Sequence, residues 1–205
     1  MLWVMAVATA SSLPRGSFGQ TAGSPAPTAK GYGVDPNLVK VYQPGAFWPL
    51  TFNPGQRRVA TVLADAIIPK DDLGPAASEV GVPAFIDEWI SAPYPEQQRD
   101  RPIILEGLGW LESESQARFK KGFAQLSNEQ HRTICDDICF VDTAGPRYRK
   151  AAVFFSRFRW LAAAAYYATP EGWKAVGYVG NVILQQFDGP PPEVLKRLGV
   201  TQTVA

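Results

Sequence analysis

With 205 residues, 46% of them hydrophobic and 12% aromatic, the chain holds material for one domain with a full core and an added tail. Its 20 basic residues nearly balance 19 acidic ones, for a formal net charge of +1, and no long basic run occurs, which excludes a groove that tracks a nucleic-acid backbone. Six tryptophans leave a surplus that points to aromatic surface buried against a partner.

Residues 1–20 open with an almost wholly apolar run from Leu2 to Ala10, followed by Ser11, Ser12, Pro14, Arg15 and Gly16. Two readings fit it. One is an export signal whose basic leader lies upstream of the assigned start. The other is an apolar arm that docks in a groove. The run is far short of the roughly 20 residues that span a bilayer. The other apolar candidate, Ala151 to Tyr167, is interrupted by Arg157 and Arg159. Residues 21–50 read as linker and approach. Thr21 to Gly33 is rich in Pro, Gly, Ser, Thr and Ala, and Val34 to Leu50 carries aromatic anchors at Tyr42, Phe47 and Trp48.

The domain spans residues 51–199, with 200–205 as a tail. Asn53, Pro54 and Gln56 form an N-cap, a tolerated first-turn proline and an N3 partner. Val59, Leu63 and Ile67 then recur at helical spacing until Pro69. Lys70 to Ala76 is a turn-rich loop. Pro83 starts a short helix whose buried side takes in Phe85, Ile86, Trp89 and Ile90. Within Glu96 to Phe119 the apolar stripe is Ile104, Leu108 and Leu111. Pro102, Gly107 and Gly109 weaken it and predict a kink or late start. Ser127 and Gln130 predict a capping box with Leu126 as the outer half of a staple, heading a helix that carries Ile134 and Ile138. From Tyr148 to Ala168 the chain is apolar almost all round, as a central helix is. Thr169 caps a further short turn, and Pro192 to Gly199 is a last helix closed by glycine. The fold class is all-α, an irregularly packed helical domain with an extended N-terminal arm.

Chemistry is sparse. His131 is the single histidine, with no nucleophile motif nearby, and a structural role suits it best. One histidine and two cysteines lack zinc spacing, and Cys-x-x-Cys-His is absent. Cys135 and Cys139 share a helix face that is poor for a mutual bridge. They read either as two small buried thiols or as a site for pairing with another chain. Asp71-Asp72, Asp87-Glu88 and Asp136-Asp137 are adjacent pairs that do not face one another on a helix, and they read as solvated helix and loop faces. Arg147, Arg149, Lys150, Arg157 and Arg159 suit a solvated or interface face better than an anion site. The segment Gly172 to Asn181 does not follow a strand and lacks dinucleotide spacing. Its Trp173, Gly177, Tyr178 and Gly180 suit a tightly packed corner, or an interface or substrate-access loop. No catalytic, cofactor-binding or metal residue is therefore assigned.

Three segments carry a resemblance. They are Phe52 to Asp87, containing Ala64-Asp65-Ala66-Ile67-Ile68-Pro69 and Gly81-Val82-Pro83-Ala84-Phe85-Ile86-Asp87; Phe123 to Ser127; and Thr169-Pro170-Glu171-Gly172-Trp173 continuing to Gly177-Tyr178-Val179-Gly180. In this order, over roughly residues 50 to 190, they resemble the gluconate 2-dehydrogenase subunit 3 family, the small subunits of flavin-dependent sugar and polyol dehydrogenases. The tail Asp188 to Glu193 looks most like the small subunits of glucoside 3-dehydrogenases.

The resemblance implies a helical, non-catalytic partner of a large FAD-containing subunit of the glucose-methanol-choline type, with electrons passing to a cytochrome c subunit that carries haem c. It implies a periplasmic location, with membrane association at most indirect or through the N-terminal arm, and export of the large subunit in company with the small one. The family's twin-arginine signal is not matched, since no Arg-Arg pair precedes Leu2. The partner interface is expected at Trp173, Gly177, Tyr178 and Gly180, with Cys135 or Cys139 nearby. The rival readings are a free-standing helical binding or chaperone protein, an enzyme using Asp65, Asp87 or His131, and a peripheral membrane protein held by Leu2 to Ala10.

Overall fold

The computed structural model describes residues 42–178, 180 and 189–201. The apolar run Leu2 to Ala10, the linker and the last four residues lie outside them. The elements are α1 (Pro54–Ile67), α2 (Val82–Ser91), α3 (Pro95–Phe119), a 3-10 turn (Phe123–Gln125), α4 (Asn128–Asp136), α5 (Arg149–Tyr166), α6 (Pro170–Ala175) and α7 (Pro192–Leu198), with no strand among the described residues. The class is all-α.

The long helices α3 and α5 cross at the centre, and α1 and α2 pack against both. Gly107 makes that crossing possible. A Cβ there would sit 1.9 Å from the ring of Phe154, which is fully buried. The glycine that weakens α3 as a sequence is thus the notch that seats α5. Ile104, Leu108 and Leu111 of α3 meet Phe154, Phe158 and Leu161 of α5, with Leu63, Ile86 and Ile90 closing the core from α1 and α2. Truncating any of these leucines or isoleucines to alanine is a loss of about 2–5 kcal/mol.

Local signals place the helix starts as expected. Asn53 Oδ1 accepts from the Gln56 amide at 2.9 Å, and the Gln56 side chain answers at the Asn53 amide. Ser127 and Gln130 repeat this reciprocal arrangement at α4, and Thr169 Oγ1 accepts from the Gly172 amide at 3.1 Å at α6.

Three expectations need correction. First, α3 begins at Pro95 and runs through Pro102 without a late start. Side-chain bonds from its first turns hold it. Arg101 Nε and Nη2 donate to the carbonyls of Ile90 and Ser91 at the end of α2, and Gln98 Nε2 donates to that of Ala92. These contacts compensate for the amide that proline lacks. Second, α4 stops at Asp136, so Cys139 lies in the following turn and shares no helix with Cys135. Third, Phe85 is exposed, while Val82, Ile86 and Ile90 fill the core from that helix and the half-buried Trp89 packs against its edge.

The approach segment is docked rather than loose. Asp87 is wholly buried on α2, and its Oδ1 accepts the backbone amides of Thr51 and Phe52, both at 2.9 Å. Its Oδ2 accepts from Arg57 at 2.9 Å. Trp48 is buried beside the Tyr94 ring and donates through Nε1 to the Glu88 carbonyl, while Gly45 donates its amide to the Glu88 carboxylate.

Candidate functional site

The corner after α5 is built on close backbone contact. A Cβ on Gly172 would lie 2.2 Å from the Tyr166 carbonyl oxygen, so α6 presses on the last turn of α5. Trp173 therefore projects from a fixed base. Its carbonyl accepts from the Tyr178 amide at 2.8 Å, and the two rings meet edge to face with centroids 6.0 Å apart. Despite this order Trp173 is 44% exposed and Tyr178 53%, and Val176 and Tyr167 beside them in sequence are exposed too. Gly177 and Gly180 hold φ values of +69° and +84°, which L side chains rarely adopt. The corner thus presents rigid aromatic surface, the kind of group that anchors interfaces.

The two thiols are free and half-buried, packed against the edge of the core. Burial pushes the Cys135 thiol up to about 12, with Asp136 and Cys139 adding to it. That thiol is a poor nucleophile at neutral pH. Cys139 Sγ lies 3.3 Å from the Asp136 carbonyl, and its own carbonyl accepts from Arg159. The Arg159 guanidinium covers the rings of Phe140 and Phe155, of which Phe140 is exposed.

The three residues of the enzyme reading are far from a common task. His131 is buried with Nε2 at 2.8 Å from the Phe123 carbonyl and its ring against the Phe123 ring. Asp65 accepts from the amide and hydroxyl of Ser78. Asp87 clasps residues 51 and 52, as described above. Each is bonded into the fold, and no group of three His, Cys, Asp or Glu capable of holding a metal occurs among the described residues.

Two adjoining depressions of about 530 and 640 Å³ lie along α1, sharing Arg58 and Ala124 in their walls. The first carries Glu112, whose carboxylate already accepts from the Phe123 amide at 3.0 Å. The second is lined mainly by Phe52, Pro54, Val62 and the stems of Arg57 and Arg58. Neither brings together an acid and a base at hydrogen-bonding distance.

A further cluster escaped the sequence reading. Asp100, buried on α3, accepts from Trp89 Nε1 at 2.7 Å and from Arg157 Nε and Nη2 at 2.9 and 2.5 Å. The guanidinium of Arg157 lies 4.4 Å from the Trp160 ring centroid, and Trp89 and Trp160 meet edge to face at 6.4 Å. Hydrogen bonding to Asp100 raises the Arg157 pKa further above its ordinary value, with Glu96 adding to the effect. The visible signal in the sequence was a charged residue, Arg157, inside an apolar helix and three positions before a tryptophan.

No helix among the described residues is long and apolar enough to cross a membrane. The family model described as gluconate 2-dehydrogenase subunit 3 matches residues 54–182, more than half of the chain. No curated protein and no solved structure matches it.

Proposed function

The chain belongs to the gluconate 2-dehydrogenase subunit 3 family, and from that premise we propose that it is the non-catalytic small subunit of a flavin-dependent sugar dehydrogenase complex. The observation that carries the reading is the Trp173–Tyr178 corner, held in a single geometry by Gly172 and the Thr169 cap yet left open to solvent. A fixed aromatic group loses little conformational freedom when another protein covers it. The partner is a large glucose-methanol-choline-type chain that carries the FAD. The flavin, the hydride it accepts and the base that assists all reside there. A cytochrome c subunit with haem c takes the electrons onward. The complex works in the periplasm, and this chain stabilises the large subunit and accompanies it during export. Gly177 and Gly180 let the backbone approach the partner closely. Cys139, next to the exposed Phe140, is the thiol nearer the partner's edge.

The test is purification of the complex from its native host through a tag on this chain. A large band with a flavin absorption spectrum, in fixed ratio to the small chain, is the expected result. A monomer that brings down no flavoprotein removes the proposal. Trp173→Ala with Tyr178→Ala is expected to reduce co-purification far more than it lowers the thermal midpoint of the isolated chain, since each side chain is only about half buried there.

A further inference from the structure

We propose that the outer stripe of α5, with the adjoining edge of α2, is a second docking surface for the same flavoprotein subunit, on a partner face that offers an apolar cleft to Trp160 and carboxylates to Arg149 and Lys150. The inference rests on the small-subunit reading and assigns it a surface distinct from the Trp173–Tyr178 corner.

The stripe follows from helical spacing. Val153, Arg157, Trp160, Ala164 and Tyr167 recur at intervals of three and four and lie on one face. Four of them are exposed, and Trp160 is 53% exposed. On the opposite face of the same helix Phe154, Phe158 and Leu161 fill the core. An 18-residue helix at the centre of a domain thus shows water a mainly apolar strip around the paired Arg157, extended sideways by Trp89 and Phe85, whose ring centroids lie 6.0 Å apart. Scattered apolar side chains need no explanation, whereas a contiguous strip marks a contact surface.

Electrostatics gives the partner's chemistry. The centre of the strip contains one cation, Arg157, and Asp100 and Glu96 already neutralise it. Covering Arg157 therefore leaves no bare cation, since the buried Asp100 balances its charge and the half-exposed Glu96 stays at the wet rim. The bonds that neutralise Arg157 also fix Trp89 and Trp160, so the aromatic surface is ordered before contact. The end of the strip is different. Arg149 and Lys150 are exposed, join none of the ion pairs among the described residues, and occupy the first turn of α5. The helix start carries partial positive charge, α5 has no acidic residue in that turn, and Tyr148 supplies no side-chain cap. Two cations there repel the dipole, and a carboxylate from another chain relieves both. A lipid surface fits less well, because Glu96, 56% exposed at the side chain, stands beside the aromatic cluster where anionic headgroups would lie.

The experiment uses the full chain co-expressed with its flavoprotein subunit, with affinity measured after dissociation and re-assembly. Trp160→Ala is expected to raise Kd by about 30-fold, the effect of losing a central aromatic anchor. The double variant Arg149→Glu with Lys150→Glu is expected to slow association and to reduce the salt dependence seen in the wild type. Circular dichroism checks that both variants fold, and the double variant keeps the test alive if Trp160→Ala does not. If the wild-type complex forms and both variants bind within twofold of it, this surface is wrong while the small-subunit reading stands. If the wild-type chain forms no complex, both fall together. Binding of the isolated chain to vesicles of anionic phospholipid, lost in Trp160→Ala, overturns the proposal in favour of a membrane contact.

Discussion

Two buried carboxylates on successive helices, Asp87 and Asp100, hold different parts of the molecule. Asp87 gathers two backbone amides and Arg57, and so ties the incoming chain at residues 51 and 52 to α2. Asp100 gathers only side-chain donors, Trp89 and Arg157, and through Arg157 it reaches the exposed Trp160. The first region is closed, since the amides Asp87 binds lead into the buried Phe52 and α1, and only Arg57 is left half in water. The second is open, since what Asp100 binds ends at the surface. A buried charge is costly unless fully partnered, and among the described residues no buried side-chain nitrogen or oxygen lacks a partner. The contrast therefore separates a carboxylate that builds the fold from one that shapes a face.

Breaking the closed region gives the largest expected effect. Asp87→Ala leaves the buried Phe52 amide without an acceptor and removes the ion pair with Arg57, for a loss of about 3–5 kcal/mol. Urea unfolding measures it as a fall in midpoint at constant slope. A loss below about 1 kcal/mol means that the clasp does not hold residues 51 and 52. Arg57→Ala removes less, about 1–3 kcal/mol, because Arg57 is 48% exposed and the buried Asp87 keeps its two amide donors while losing its counter-cation.

The open region responds differently. Asp100→Asn keeps an acceptor for Trp89 Nε1 and leaves Arg157 its bond to Glu96, so the expected stability loss is about 1–2 kcal/mol. The sharper change is optical. With Arg157 no longer gripped at both nitrogens, the tryptophan pair loses its fixed geometry, and the near-ultraviolet dichroism weakens while the far-ultraviolet signal is retained. An unchanged near-ultraviolet spectrum means that Asp100 does not order the aromatic face.

The same contrast explains what could be read in advance. The caps at Asn53, Ser127 and Thr169 are local, complete within four residues, and the sequence reading located them at the positions observed. The Gly107 notch and the Asp87 clasp are not local. A glycine in a helix reads as a weakness until Phe154, 47 positions later, arrives beside it, and an aspartate next to Glu88 reads as a solvated pair until residues 51 and 52 return over it. The late start suggested by Pro102 does not occur for a related reason, since the bonds that hold α3 through it come from Gln98 and Arg101 reaching back to α2. At the corner, the aromatic residues and glycines were legible as a group because they lie within a few residues of one another. The Trp89–Asp100–Arg157 cluster joins three helices, and only Arg157 inside its apolar run hinted at it.

Cys135 sharpens the comparison from the other side, because it is half-buried against the core yet binds no partner through its sulfur among the described residues, and its effect is expected to be the smallest. Cys135→Ala removes a small apolar group, a loss of about 1 kcal/mol at pH 7. The pH dependence carries the information. In the unfolded chain the thiol ionises near 9.0, whereas in the fold burial pushes it up to about 12. A pKa raised by folding contributes stability that is complete below the unfolded value and is lost as pH rises through the window from 9 to 12. The wild type should therefore lose about 1.4 kcal/mol per pH unit in that window relative to the alanine variant, so that the difference between them shrinks above pH 9 and has reversed by about pH 10. Every other group that titrates there is common to both proteins and cancels in the comparison. Iodoacetamide at pH 8 should accordingly label Cys139 ahead of Cys135 in the folded chain. Parallel stability curves from pH 7 to 10, or equal labelling of the two thiols, would show that Cys135 is not withheld from water by the fold.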